Sequence, residues 1–360
     1  MLVALVACSL IVWLGLFGLA VGRKLRRDRR EQRSIGRRAG YVLALRGQDP
    51  ARITTNCNAV RNVAAEVDLA AAIDAVRPAL SSEQGEVVGR AIEASDLPSR
   101  LAMRLGSRRP RTRARAALLL TRPGTLAMVV DQVTPLLGDP DPDVRLVACS
   151  GLSIAASPAA AEVLIWGLAA DLLPPERIIE RLGAPWAVES ILQTLESGLP
   201  ATPCPFAGIT PSHVGAELEA NLARALGIAR DPRGADALVK LLRVGSEEAQ
   251  VSAARALGRV GGANSVPALM QALKSAFWPV RAQAAKSLGA LGATEALDRL
   301  EECLSDRAWW VRSNCARALR ELGDPGLEAL RRTLEHEDRY ASDRAREQLA
   351  LHAVAAKHSA

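Results

Sequence analysis

The sequence predicts an all-α fold: an α-solenoid of stacked helix pairs, preceded by one transmembrane helix. Three observations carry the prediction. A five-residue phrase stands in four copies at one fixed interval, and the first 22 residues hold no charged side chain. The apolar residues are mostly Ala and Leu, which favour helix and close helix packing, while only 11 of the 360 residues are Phe, Trp or Tyr. No run of Val, Ile, Thr and aromatics alternates with period two, so strands are not expected.

Met1 to Gly22, MLVALVACSLIVWLGLFGLAVG, reaches roughly 30 Å as a helix, the thickness of a bilayer's hydrocarbon core. A cleaved signal would place basic residues before a shorter apolar stretch. Here they all follow it. Residues 23–38 hold nine Arg or Lys against two acids, which leaves 37 basic and 37 acidic residues elsewhere. The net charge of +7 is thus local. Basic flanks stay on the cytoplasmic side, so a single-pass protein is expected, with the N-terminus outside and residues 23–360 in the cytosol. Arg23, Lys24, Arg26, Arg27, Arg29 and Arg30 are then expected to meet anionic lipid headgroups.

The phrases are Ala223-Arg224-Ala225-Leu226-Gly227, Ala254-Arg255-Ala256-Leu257-Gly258, Ala285-Lys286-Ser287-Leu288-Gly289 and Ala316-Arg317-Ala318-Leu319-Arg320, each 31 residues after the last. Leu238, Leu269 and Leu300 keep the same step, as do Leu242, Leu273 and Leu304. In the last copy they become Leu330 and Leu334, one residue early. Each period reads as two helices. In SVPALMQALKSA, Val266, Leu269, Met270 and Leu273 share one face. In VRAQAAKSLGALG, Val280, Ala284, Ala285 and Leu288 do. Gly261-Gly262, Gly292 and Gly323-Asp324-Pro325 stop the second helix. One pair cannot bury its apolar face alone, whereas stacked pairs can.

The segments LLGDPDPDVRLVACSGL (Leu136–Leu152), FWPVRAQAAKSLGALG and WWVRSNCARALRELG resemble HEAT repeats, and in particular the short bacterial variety also seen in phycobilin lyases. That resemblance, membrane-anchored in this case, implies that the Arg after Val is structural and pairs with acidic residues of the turns. Asp139, Asp141, Asp143 and Arg145 take those places, as do Arg281 and Arg312. It also implies that the second helix of each unit lines a concave surface. The expected organisation is 1–22 transmembrane helix, 23–40 basic juxtamembrane segment, 41–132 degenerate helical repeats, 133–352 solenoid with an irregular unit over 153–217, and 353–360 tail. The irregular unit is needed because Val144 to Leu218 is too long for one unit, and it contains the loop GLPATPCPFAGITPSH (Gly198–His213).

Chemistry is sparse. Some chains resembling this family, of the deoxyhypusine hydroxylase type, carry a di-iron site built from several His-Glu pairs. This sequence has four His and a single such pair, His336-Glu337. Cys8, Cys57, Cys149, Cys204, Cys303 and Cys315 show no CxxC spacing, and no phosphate-binding or nucleophile motif appears. No enzyme and no cofactor are expected.

Two ladders stand out. Arg224, Arg255, Lys286 and Arg317 are equivalent positions that form either a basic track for a partner or a solvated face paired with Glu219, Glu248 or Glu321. Trp278 and Trp309, flanked by Phe277 and Trp310, are either binding hot spots or fillers between repeats. A third feature, Arg100–Arg122, has eight Arg and no acid. The function expected is a membrane-tethered, non-catalytic scaffold for a membrane-associated protein partner. The alternatives are an enzyme of the bilin-lyase type, or nucleic-acid binding through the Arg-rich segments, although the neutral bulk gives the latter no support.

Overall fold

A computed structural model describes residues 27–359, apart from 28, 48, 122–126, 207–210 and 213–214. Every regular element among the described residues is helical, and the chain divides into two compact units, Met1–Gln132 and Val133–Ala360.

In the first unit a helix over 29–47 (α1) is followed by α2 (Pro50–Ala59), α3 (Val63–Val76), α4 (Ser82–Glu93), α5 (Leu97–Leu105), α6 (Pro110–Thr121) and α7 (Ala127–Val133). Ile53, Cys57, Leu69, Leu101 and Leu120 are among the residues of its core. Two buried acids of α3 organise it. Asp68, 2% exposed, accepts from Ser34 Oγ at 2.5 Å, Arg37 Nε at 2.8 Å and Arg38 Nε at 2.9 Å. Glu66 pairs with Arg104. The basic segment thus continues into a helix that its own Arg37 and Arg38 fasten to α3. Part of the Arg-rich stretch is likewise structural, since Arg100 donates to the Val60 carbonyl at 2.6 Å.

The second unit is two layers of helices. Layer A holds α8 (Pro142–Ala155), α10 (Pro175–Leu182), α12 (Ala216–Ala229), α14 (Glu247–Val260), α16 (Trp278–Leu291), α18 (Trp309–Glu321) and α20 (Arg339–Ser359). Layer B holds α9 (Pro158–Ala169), α11 (Val188–Ser197), α13 (Ala235–Val244), α15 (Ser265–Ala272), α17 (Leu297–Glu302) and α19 (Asp324–Thr333). Each helix of a layer packs on the next of the same layer, except that α15 packs on the 3-10 turn before α17. Helix starts are set locally: Asp141 caps α8 through the amides of Asp143 and Val144, and Ser246 caps α14 through that of Ala249. Gly292, at φ 64°, closes α16 in the left-handed region that glycine tolerates. The irregular stretch resolves into α9, α10 and α11. It holds two layer B helices, α9 and α11, around a short layer A helix, α10, followed by the loop after Ser197. Residues 353–359, expected as a tail, continue α20.

The recurring phrase has a packing reason. Its Leu (Leu226, Leu257, Leu288, Leu319) is fully buried in all four copies. Its closing Gly lies against the third residue of the next copy. A Cβ on Gly227 would stand 2.9 Å from Ala256 Cα, one on Gly258 2.7 Å from Ser287 Cβ, and one on Gly289 2.8 Å from Ala318 Cα. Small residues on both sides let the layer A backbones close up. Where Gly is replaced by Arg320, the series of copies ends. Gly→Ala in an open helix gains up to about 1 kcal/mol. Gly289→Ala is therefore expected to lower the melting temperature and Gly289→Val to cost about 1–3 kcal/mol. Gly85→Ala in α4, where nothing lies within 4 Å, is expected to raise it. Thermal melts of the three variants check the opposite signs.

Met1–Gly22, expected to span a membrane, lies outside the described residues. Among the described residues no helix is long and apolar enough to cross a membrane. The longest helix with stated ends, α20, has 21 residues and the charged sequence RYASDRAREQLALHAVAAKHS. The single-pass placement, with its external N-terminus and cytosolic solenoid, is corrected accordingly.

Candidate functional site

The four cations of the first ladder stand on α12, α14, α16 and α18, each on the layer A surface away from the core. Arg255, Lys286 and Arg317 are exposed and Arg224 is half-buried. Their partners differ. Arg224 donates to Asn221 Oδ1 at 3.0 Å and lies 3.6 Å from Glu176 of α10. Arg317 pairs with Glu321 at 2.8 Å, one turn along. Among the described residues Arg255 meets only the neutral Gln283 Oε1, at 3.4 Å. Among the described residues Lys286 has no ion pair. The ladder is thus two tied cations flanking two open ones. A cavity of about 230 Å³ opens beside it between α10, α12 and α14, lined by Glu176, Glu180, Arg224, Ser252, Arg255 and Arg259 among others. Glu176, at its edge, was not visible as a partner in the sequence because it lies in the short helix that lacks the phrase.

The aromatic ladder occupies the N-terminal edge of the same layer. Trp278 and Trp309 are the first residues of α16 and α18, each 45% exposed, and Trp310 is 56% exposed. Phe277 precedes α16 and is 42% exposed. The next step of 31 residues falls on Tyr340 at the start of α20, 66% exposed, a position that the repeat spacing would have found. Trp309 and Trp310 meet edge-on, with centroids 4.6 Å apart. Arg344 lies 5.8 Å over the Trp309 ring and Arg312 lies 5.0 Å over Tyr340. Neighbouring packed helices stand roughly 8–10 Å apart, so the rings form one row across three helices.

Of Arg145, Arg281 and Arg312, Arg281 makes the pair with a turn acid that the resemblance implied, whereas Arg145 and Arg312 hold backbone carbonyls of the turns. Arg281 and Asp306 form a buried pair, Nε–Oδ2 2.7 Å, with side chains 8% and 12% exposed. Burial alone would raise the Asp306 pKa. The Arg281 hydrogen bonds and the Ala308 amide reverse that and hold it below the usual carboxylate value. The thiols of Cys57 and Cys149 are pushed up to about 11 by burial, which keeps them protonated at neutral pH. Burial raises the Cys315 thiol too, while the neighbouring Cys315 thiol lowers that of Cys303. Among the described residues no three His, Cys, Asp or Glu side chains are grouped as metal ligands would be. Of the residues expected at a lipid surface, Arg23, Lys24 and Arg26 lie outside the described residues. Arg27, Arg29 and Arg30 are exposed in the first unit.

Helix pairs stacked in two layers at a 31-residue step, closed up by small residues, define an α-solenoid of short repeats. Residues 266–350 match the family of HEAT repeats, and residues 249–275 match the PBS lyase HEAT-like repeat. Together these matches cover residues 249–350, where the chain carries HEAT-like repeats. Three solved structures show similarity to this chain. Human deoxyhypusine hydroxylase in complex with glycerol shows 18% identity over 92% of this chain and 99% of its own, with a TM-score of 0.30. The CpcE–CpcF complex of phycocyanin lyase from Nostoc shows 18% over 84% and 94%, at 0.27. A mutant of Kap121p shows 15% over 88% of this chain and 39% of its own, at 0.46. No match is found among curated proteins.

Proposed function

We propose that the chain is a non-catalytic scaffold that binds a protein partner on layer A, through the aromatic edge of Trp278, Trp309 and Trp310 and the adjoining open cations Arg255 and Lys286. The observation that carries this is the exposure of the aromatics. Five large rings, Phe277, Trp278, Trp309, Trp310 and Tyr340, stand 42–66% exposed at one edge of three consecutive helices, in a chain with only 11 aromatics. Rings used as fillers would be buried. Contiguous exposed apolar surface of this kind marks interaction sites, and Trp and Tyr dominate their energetics.

The test separates binding from folding. Arg255→Glu with Lys286→Glu is expected to leave the melting temperature nearly unchanged, because solvated charges contribute little. Partner capture should weaken, and more so at low salt, where steering is strongest. Trp310→Ala should weaken capture at every salt concentration. Unchanged capture in both variants would remove layer A as the interface.

A further inference from the structure

The repeats contain their own template for a ligand. Arg145, Arg281 and Arg312 are the fourth residues of α8, α16 and α18. Each donates from Nη1 to the carbonyls six and five residues earlier. Those are Asp139 (2.8 Å) and Pro140 (3.3 Å), Ser275 (2.9 Å) and Ala276 (3.2 Å), and Asp306 (2.7 Å) and Arg307 (3.2 Å). The other edge of the guanidinium differs. Arg145 Nε donates to the Leu172 carbonyl at 2.8 Å. Arg281 grips the Asp306 carboxylate with Nε at 2.7 Å and Nη2 at 2.9 Å. In Arg312 the same Nε is buried and, among the described residues, has no hydrogen-bond partner, a state that costs stability until an acceptor arrives.

The chain has a residue in the corresponding turn. Asp338 accepts from the Tyr340 amide at 2.8 Å, as Asp306 does from that of Ala308 at 2.8 Å. Asp306 also reaches back to Arg281, whereas Asp338 makes no bond to Arg312. The Tyr340 ring lies over the guanidinium instead, and it is 66% exposed, so its outer side is unpacked. Trp309 and Trp310 begin the helix one turn before Arg312.

We infer that Arg312 is a carboxylate-binding position: the Nε–Nη2 edge takes an Asp or Glu side chain of the partner protein, in the bidentate geometry that Arg281 shows with Asp306, as the Tyr340 ring swings aside. Planar guanidinium and carboxylate match in this way, and Trp309, Trp310 and Tyr340 supply apolar contact beside the charge. The inference rests on the reading of the aromatic edge as the interface and adds the partner's chemistry to it.

The test uses the full chain with Arg side chains labelled at nitrogen, titrated with sodium acetate against sodium chloride at equal ionic strength. Acetate is expected to shift the Arg312 Nε–H signal and leave that of Arg281 unmoved. An array of end-blocked peptides, each with one central Glu or its Gln twin between varied neighbours, is then probed with the same protein. Glu members should retain it at least tenfold better than their twins, and Arg312→Lys, which keeps charge but loses the fork, should remove that advantage. If Arg312→Lys does not fold, the acetate titration of the unaltered chain still decides. No Arg312 shift overturns the inference, and so does an Asp338→Asn variant that moves the Arg312 signal without acetate, since Asp338 is then the partner. Equal binding of Glu and Gln peptides overturns it while leaving the aromatic edge as a peptide site. Binding of neither, with Trp310→Ala also silent in partner capture, removes both.

Discussion

Leu288→Ala is expected to cost about 2–5 kcal/mol, the range for truncating a fully buried leucine in a packed core. The side chain is 0% exposed in α16, with Val280, Ala284 and Ala285 buried on the same helix face. Layer A backbones are already in contact through Gly289 and Ala318, so the helices cannot close further to fill the space. In a solenoid each unit touches only its neighbours. The damage should therefore appear first as protease cleavage within about residues 254–320, while α8 and α9 stay protected. Uniform loss of protection across 133–360 would instead indicate one globular core.

Asp306→Ala is expected to cost about 3–5 kcal/mol, because it leaves the Arg281 guanidinium buried and unpaired. The loss should be smaller in the double variant Arg281→Met with Asp306→Ala, which removes both charges. The pair also sets a pH dependence. Since the folded pKa of Asp306 is held below the usual carboxylate value, its contribution is complete above roughly pH 4 and is lost as pH falls through that value towards the folded pKa. Asp68, fastened to Ser34, Arg37 and Arg38, is lowered for the same reason and acts in the same direction in the first unit. Denaturant melts between pH 3 and pH 7 should show a flatter profile for Asp306→Ala than for the unaltered chain.

How legible this was depends on the element. The four phrases fixed the pitch of layer A because small residues must recur wherever backbones touch. Helix α10 has no such phrase. Its eight residues pack through Ile178, Ile179 and Leu182, larger side chains that leave no small-residue signature, so 153–217 read only as irregular. The Trp positions were legible as equivalents, but their exposure was not. A residue at the first position of a helix projects from the edge, where the face periodicity that predicts burial says nothing. Tyr340 escaped because the layer B leucines slip by one residue at Leu330 while the layer A step of 31 runs on. The pairing of Arg224 with Glu176 and of Arg104 with Glu66 spans tens of residues, and no local pattern specifies it.

The central claim, that the aromatic edge of layer A meets a protein partner, is tested most directly by photo-crosslinking in the native host. A benzophenone side chain is placed at 278, 286 or 310 on layer A, or at 243 or 328 on layer B. The account predicts one discrete adduct of the same mass from 278, 286 and 310 and none from 243 and 328. Adducts from 243 and 328 alone, or equally from all five positions, would contradict it.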